Sequence, residues 1–289
     1  MIRVQVPATS ANCCVGFDCL GVALDWFATF TFEKSDCLKV TGCPSVYQNE
    51  DNLVVLAFKK ACECMKVKFP TFHLHIDSTI PFARGLGSSA TCIVGGLMAA
   101  NSWFDQPLNM SDLLILATEM EGHPDNVAPA LFGGMVACFM DGNSIYSQKV
   151  QSVDWKGVAM IPSYPISTHE ARKVLPSTIA YGQACKQVGH ALVFMKAYQT
   201  GDEELLAKSC VDFLHEPYRK KMIVEYDRIC EFCQLRAIPM WISGSGSTML
   251  ALSKREDILD DLRSFICSWS DMMCKEVKVS KKGAIVTYV

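Results

Sequence analysis

Pro81-Phe82-Ala83-Arg84-Gly85-Leu86-Gly87-Ser88-Ser89-Ala90 joins a strand-like segment to a helical one, and the fold is read outward from this junction. Its glycines let the backbone turn sharply and pass close to a ligand. The helix that follows offers unpaired N–H groups and the positive end of a dipole, which together favour an anion. Ser88 and Ser89 can add hydrogen bonds, or one hydroxyl can reach a Mg²⁺ held by phosphates. The Gly-Lys-Ser/Thr ending of a Walker A loop is missing. A bare Gly-x-Gly would read only as a helix cap. The proline before it and the Ser-Ser-Ala after it favour a phosphate loop.

Upstream, Phe72, Leu74 and Ile76 alternate with His73, His75 and Asp77, the pattern of a half-exposed strand. Downstream, Ser88 to about Phe104 reads as a buried helix. The uncharged run Gly85–Phe104 is too rich in glycine and serine to span a membrane. Arg3–Val6 and Leu24–Phe32 read as strands. A helix is expected from near Asp51 or Asn52, with Leu53, Leu56, Ala57, Ala61, Cys64 and Met65 at helical spacing. Another is expected from a Ser111 cap to about Glu121, followed by a buried strand over Gly133–Met140. Beyond about residue 150 the pattern restarts: strand Val158–Ile161, helical stretches Thr178–Lys208 and Met222–Leu235, then strands Ile238–Ile242 and Met249–Leu252. The chain ends helix (Asp257–Trp269), strand (Glu276–Val279), strand (Ala284–Tyr288). Mixed elements in both halves predict an α+β architecture in two lobes, residues 1–150 and 151–289.

Composition narrows the function. The 289 residues are 50% hydrophobic, enough to bury a sizeable core, so global disorder is excluded. Lys and Arg number 27 against 30 Asp and Glu, a net charge of −3. Without a basic surplus, nucleic acid is not an expected partner. Met1–Pro7 carries no apolar leader, which points to the cytoplasm, where the 15 cysteines are expected to be reduced. Cys230 and Cys233, three residues apart, read as core residues of a helix, and His73 and His75 as a polar sheet face lacking a third metal ligand.

Pro-x-x-x-Gly-Leu-Gly-Ser-Ser-Ala resembles the nucleotide-phosphate loop of the GHMP small-molecule kinases. Three further segments resemble those of homoserine kinases within that superfamily. They are Val6-Pro7-Ala8-Thr9-Ser10-Ala11-Asn12 with Gly16-Phe17-Asp18, Gly122-His123-Pro124-Asp125-Asn126-Val127-Ala128-Pro129-Ala130, and Ile242-Ser243-Gly244-Ser245-Gly246-Ser247-Thr248. The resemblance spans nearly the whole chain, with the motifs in the family's order. Cys13-Cys14-Val15 stands where these enzymes commonly have Leu-Gly-Pro, and Ser247 where they usually have proline.

The resemblance implies a two-lobed fold, with an amino-terminal lobe of the ribosomal-protein-S5 type and a ferredoxin-like carboxy-terminal lobe. It implies ATP and Mg²⁺ as cofactors, with L-homoserine as the phosphoryl acceptor in threonine biosynthesis. Membrane is not an expected partner; members of the family are often homodimers, and the sequence itself shows no interface. ATP would lie over Pro81, Arg84, Gly85, Leu86, Gly87, Ser88 and Ser89, with Ser89 and Glu121 on the metal. Asn52 either contacts the nucleotide near its base or simply caps a helix. Asp18 is the hydroxyl-binding group, supported by Asn12, Asp125 and Asn126; whether it also abstracts the proton is open. Arg172, Thr168 and Arg219 would read a carboxylate, for which arginine offers a bidentate fork, and His123 would donate to the same ligand. Two rivals share these residues: a related kinase acting on mevalonate, a phosphorylated isoprenoid precursor or a sugar, and a catalytically dead ligand sensor on the same fold. Cys13 and Cys14, beside the acceptor loop, would make activity sensitive to thiol oxidation.

Overall fold

The structure is a computed structural model that describes residues 1–142, 144–267, 269 and 271–288. The first lobe begins with two long strands, β1 (Ile2–Ala11) and β2 (Leu20–Lys34), paired antiparallel. Then come β3 (Lys39–Thr41), helix α1 (Leu53–Met65), β4 (Phe72–Asp77), α2 (Ser88–Trp103), α3 (Met110–Glu121), α4 (Pro124–Phe132), β5 (Met135–Asp141) and β6 (Ser144–Val150). As expected from its alternation, β4 buries Phe72, Leu74 and Ile76. Strand β5 is buried only over its first half. Helix α3 is capped by Asn109, two residues before the expected Ser111. The Asn109 side chain accepts from the Ser111 and Asp112 N–H groups, while the Asp112 carboxylate accepts from the Asn109 N–H.

The second lobe follows the order β7 (Lys156–Pro162), α5 (Thr168–Lys173), α6 (Tyr181–Thr200), α7 (Glu203–Ser209), α8 (Glu216–Arg219), α9 (Tyr226–Leu235), β8 (Met240–Ile242), β9 (Met249–Ser253), α10 (Glu256–Cys267) and β10 (Met272–Lys278). Its sheet runs β10-β7-β9-β8 with every neighbour antiparallel, the β-α-β-β-α-β arrangement of a ferredoxin-like unit. The helical stretch expected from Thr178 to Lys208 is two helices. Gly201 closes α6 in a left-handed conformation and Asp202 caps α7. The stretch from Met222 starts late, at Tyr226, after a short 3₁₀ turn. The expected last helix ends at Cys267; Ser268 lies outside the described residues.

The last strand, β11 (Ile285–Tyr288), returns to pair with β1 in the first sheet, giving the order β11-β1-β2-β4-β3, with β5 and β6 attached through β2. The chain beyond residue 150 thus contributes to both sheets. The lobes also share a core. In the second sheet, side chains alternate by position: Ala159, Ile161, Trp241, Leu250 and Leu252 join the large core of the first lobe. Val158, Met160, Met240, Ile242, Met249 and Ala251 face a smaller core under α9 and α10. The Trp241 indole N–H donates to the Ser10 hydroxyl at 3.0 Å inside this joint. Shared burial of this kind fixes the cleft between the lobes instead of leaving it to a hinge.

Helix α2, uncharged throughout, is buried as expected, and no described helix is long and apolar enough to cross a membrane. It packs against α1 through Gly96, where an added Cβ would run into the Val54 carbonyl oxygen and the Ala57 methyl group. Gly96→Ala should therefore destabilise the fold by about 1–3 kcal/mol despite alanine's better helix propensity. Equilibrium unfolding in urea measures this, and an unchanged midpoint would show that α1 can move aside.

Candidate active site

Three loops meet in the cleft. The phosphate-loop candidate descends from the first lobe, with Gly85 and Gly87 in left-handed backbone conformations. At Gly85 a side chain would strike the Ser243 carbonyl, so the close approach to the turn after β8 demands glycine there. The Ser243 hydroxyl donates to the Gly85 carbonyl at 2.5 Å, and the Thr248 N–H donates to the Arg84 carbonyl at 3.2 Å. Gly87 is the cap residue of α2 and supplies no side chain to the first-turn N–H groups. Those donors face the cleft without a side-chain cap, which is what an anion needs.

The second loop, residues 12–18, leads from β1 into β2. Asn12, Cys13, Cys14 and Asp18 all have positive φ. Such positions cost on the order of 1–3 kcal/mol each for residues other than glycine and persist only where the surroundings hold them. Here the Asn12 side chain accepts from the Asp18 N–H at 3.0 Å and donates to the Gly244 carbonyl at 2.7 Å. Cys13 and Cys14 are completely buried, and burial drives both thiols well above their ordinary pKa. They pack the loop instead of offering an exposed thiolate, contrary to the expected sensitivity to oxidation.

The third element is α8 with its partner α5. Arg219 is 2% exposed; its Nε donates to the Ala171 carbonyl at 3.0 Å and its Nη1 to the Gly244 carbonyl at 3.0 Å. Among the described residues no carboxylate lies within ion-pair distance of it. Burial, and then the neighbouring Arg172, lower its pKa to about 10, so it stays cationic at neutral pH. Arg172 instead holds Asp18 in a two-pronged pair, Nη1 to Oδ2 at 3.1 Å and Nη2 to Oδ1 at 2.7 Å. The Phe17 ring lies beneath both guanidiniums, 5.6 Å from Arg172 and 5.1 Å from Arg219.

These elements enclose one cavity of about 410 Å³. Asn12, Asp18, Gly85, Leu86, Gly87, Ser88, Ser89, Glu121, His123, Asp125, Asn126, Thr168, Arg172 and Arg219, all expected from sequence, line it together. The Ser89 hydroxyl donates to Glu121 Oε2 at 2.7 Å, and burial raises the Glu121 carboxyl pKa. Asp125 is raised to about 7, first by burial and then by the carboxylates of Asp18 and Glu121. His123 Nδ1 stands 3.8 Å from Asp18 Oδ2, and burial lowers its pKa, favouring the neutral imidazole.

Other expectations fall elsewhere. The Arg84 guanidinium turns away from the cavity and donates to the Pro162 and Ser163 carbonyls at 3.2 and 2.5 Å, tying the loop to β7. Pro81 lines neither this cavity nor the next. Asn52 is the cap of α1: its Oδ1 accepts from the Val54 N–H at 3.0 Å and its Nδ2 donates to the Tyr47 carbonyl at 2.9 Å. It also stands on the wall of an adjoining, mostly apolar cavity of about 290 Å³, beside Tyr47, Phe82 and Cys92. The two cavities share Ala83, Ser88 and Ser89. His73 and His75 both contact the Thr41 hydroxyl, at 2.8 and 3.1 Å, as a polar face would. Two further residues contribute to the site without having been singled out by the sequence, Thr9 inside a quoted motif and Ser167 next to Thr168. Thr9 donates to Asn126 Oδ1 at 2.8 Å beneath Gly87, and Ser167 caps α5 and lines the cavity.

Comparison with known proteins places this geometry. Residues 52–134 match the GHMP kinases N terminal domain and residues 194–270 the GHMP kinases C terminal domain. A homoserine kinase of Clostridium botulinum is 40% identical over 99% of this chain and 98% of its own length. One from Clostridium beijerinckii is 40% identical over 92% of this chain and 91% of its own. The crystal structure of homoserine kinase from Cytophaga hutchinsonii superposes with a TM-score of 0.86 at 26% identity, covering 99% of this chain and 97% of that one. A mevalonate kinase structure, at 14% identity and a TM-score of 0.72, shares the fold. By these matches over nearly its whole length, the chain belongs to the GHMP kinases, in the branch of the homoserine kinases.

Proposed function

We propose that this protein transfers the γ-phosphoryl group of ATP to the side-chain hydroxyl of L-homoserine, giving O-phospho-L-homoserine and ADP. The observation that carries the acceptor assignment is Arg219. A buried guanidinium without a carboxylate partner is costly unless a ligand supplies the anion, and this one faces a cavity that also holds the phosphate loop. An amino-acid carboxylate meets that need. Thr168, at the start of α5 on the same wall, adds a hydroxyl.

The remaining roles follow from placement. Nucleotide phosphates would rest on the first-turn N–H groups of α2, with the base in the apolar cavity beyond Ala83. Ser89 and Glu121 would hold Mg²⁺. Their oxygens are hard donors already in contact, and no described group of three or more His, Cys, Asp or Glu competes as a metal site. Bound there, the metal would neutralise charge on the transferred phosphate. Asp18, fixed by Arg172 and by the Asn12 side chain, would accept a hydrogen bond from the substrate hydroxyl and aim its oxygen at the phosphate. Phosphoryl transfer asks for this kind of positioning more than for covalent help. An ammonium group entering near Asp125 would stabilise its carboxylate and draw its raised pKa down. His123, kept neutral, can donate without adding to the positive charge of the two arginines.

The deciding experiment is ADP release with Mg²⁺ and ATP, comparing L-homoserine with L-serine, mevalonate, galactose and no acceptor. Selective turnover of homoserine is expected. Turnover of mevalonate or galactose instead would overturn the acceptor assignment, and ATP binding without turnover of any acceptor would favour a ligand sensor. Arg219→Leu should raise the KM for homoserine by at least about tenfold and leave the KM for ATP within about twofold. A thermal melt run alongside separates this from unfolding; equal effects on both substrates would remove Arg219 from acceptor binding. Ser89→Ala and Glu121→Gln should each raise the Mg²⁺ concentration needed for half-maximal rate, by about tenfold. Unchanged metal dependence in both variants would discard that pair as the metal site.

A further inference from the structure

Behind the acceptor cavity, two buried polar side chains join elements that no role above explains. Gln187 lies in the first half of α6, 6% exposed, between the exposed Lys186 and Val188. Its Nε2 donates to the Val15 carbonyl at 2.7 Å and to Asp212 Oδ1 at 2.9 Å, and its Oε1 accepts from the Phe213 N–H at 2.8 Å. The other oxygen of Asp212 accepts from the N–H groups of Leu214, His215 and Glu216 at 3.1, 2.7 and 2.8 Å. Neither Gln187 nor Asp212 lines the acceptor cavity.

Each end of this bracket holds one half of the acceptor site. Val15 belongs to the loop that carries Asn12 and Asp18, whose left-handed residues need holding from outside. Glu216 opens α8, whose last residue is Arg219. A second contact runs parallel to the first. His215, whose N–H the Asp212 carboxylate accepts, approaches the Cys14 carbonyl through Nε2 at 3.2 Å, and its ring stacks on Phe17 at 5.1 Å. The chemistry calls for an amide at position 187. A carboxylate there would face Asp212 with no donor, and an apolar side chain would strand a carbonyl, an N–H and one carboxylate oxygen in a buried place.

We propose that Gln187, acting through Asp212, is a positioning residue for the phosphoryl acceptor: it sets the separation between the Asn12–Asp18 loop and Arg219. The proposal rests on the reading that those two elements bind the acceptor. It predicts a split between the substrates, because the phosphate loop has no part in the bracket. In Gln187→Met, which keeps the side chain's length and removes its hydrogen bonds, the KM for homoserine should rise about tenfold while the KM for ATP stays within about twofold. Asp212→Asn, the same size but with a donor turned toward Gln187, should give the same split, and the double variant should be no worse than the poorer single one.

Hydrogen exchange of the free protein gives a readout that needs no substrate. Amides of residues 12–18 and 212–219 should exchange faster in Gln187→Met than in wild type, with residues 81–90 unchanged. Uniformly faster exchange, unchanged exchange in both segments, or equal rises in the two KM values would overturn the proposal. Failure of the wild-type protein to phosphorylate homoserine would instead remove the proposed function, and the exchange measurement would still decide whether the bracket exists.

Discussion

The carbonyl oxygen of Gly244 accepts hydrogen bonds from the Asn12 amide and from the Arg219 guanidinium, while the Gly244 N–H donates to the Ala11 carbonyl. One peptide group thus ties the glycine-rich turn of the second lobe to the acceptor loop of the first and to α8. The neighbouring Ser243 binds the phosphate loop through the Gly85 carbonyl. The relative placement of the proposed phosphate, hydroxyl and carboxylate subsites depends on this turn. It is rigid because β8 and β9, which flank it, are buried on both faces. Phosphoryl transfer is sensitive to misplacement on the scale of 1 Å, so a turn set between two cores is a better anchor than one on a mobile surface loop.

Charge organises the same space. Three carboxylates, Asp18, Glu121 and Asp125, line the cavity with two arginines, but the signs are not paired off evenly. Arg172 is committed to Asp18, and Arg219 is buried against carbonyl oxygens. Asp125 is left with burial and like charges pushing its pKa to about 7. With Glu121 proposed as a metal ligand, the cleft is left with one guanidinium, Arg219, lacking an anion and one carboxyl, Asp125, lacking a cation. A zwitterion answers both deficits together, which a neutral sugar alcohol cannot do. The Phe17 ring contacts both guanidiniums, and the buried His215 stacked on it has its pKa lowered to about 4, chiefly by burial. A protonated imidazole there would add a third positive charge.

Much of this was legible in the sequence because turns and loops announce themselves by residue type. Gly85-Leu86-Gly87-Ser88-Ser89 and Gly244-Ser245-Gly246 mark places where backbones approach closely. The alternation in Phe72–Asp77 specified a one-sided strand, and sheet burial followed it. Illegible parts were those where the partner is remote in sequence. The return of β11 to β1 is a long-range pairing that no local pattern encodes. Arg84 sits in a phosphate-loop motif yet spends its donors on carbonyls of residues 162 and 163, because β7 lies within reach. The helical stretch divides at Gly201-Asp202, a stop residue followed by a cap residue, and that pair is local information the sequence does carry. Gln187, a polar residue flanked by the exposed Lys186 and Val188, looks like a solvent-facing position until its three partners are seen.

The division of labour between the lobes bears on how such an enzyme acquires its substrate. The first lobe supplies the α2 N-terminus, Ser89, Glu121 and the apolar cavity, groups suited to any nucleotide-driven phosphorylation. The second supplies Thr168, Arg172 and Arg219, the groups that would distinguish one acceptor from another. A mevalonate kinase at 14% identity shares the fold, so the scaffold by itself does not select the alcohol. The arginines proposed to read the acceptor carboxylate sit on short elements, α5 and α8, of six and four residues. Elements that short cannot hold a charged side chain by their own helical stability. They are held by buried side chains from neighbours: Glu216 accepts from the Ile242 N–H at 2.6 Å and from the Tyr226 hydroxyl at 3.2 Å, and Asp212 caps the approach to α8. Burial raises the Glu216 carboxyl to about 8, which favours its neutral form. In the proposed role of Arg219 as the carboxylate reader, its placement rests on the buried carboxyl groups behind α8, because a helix of four residues cannot supply it.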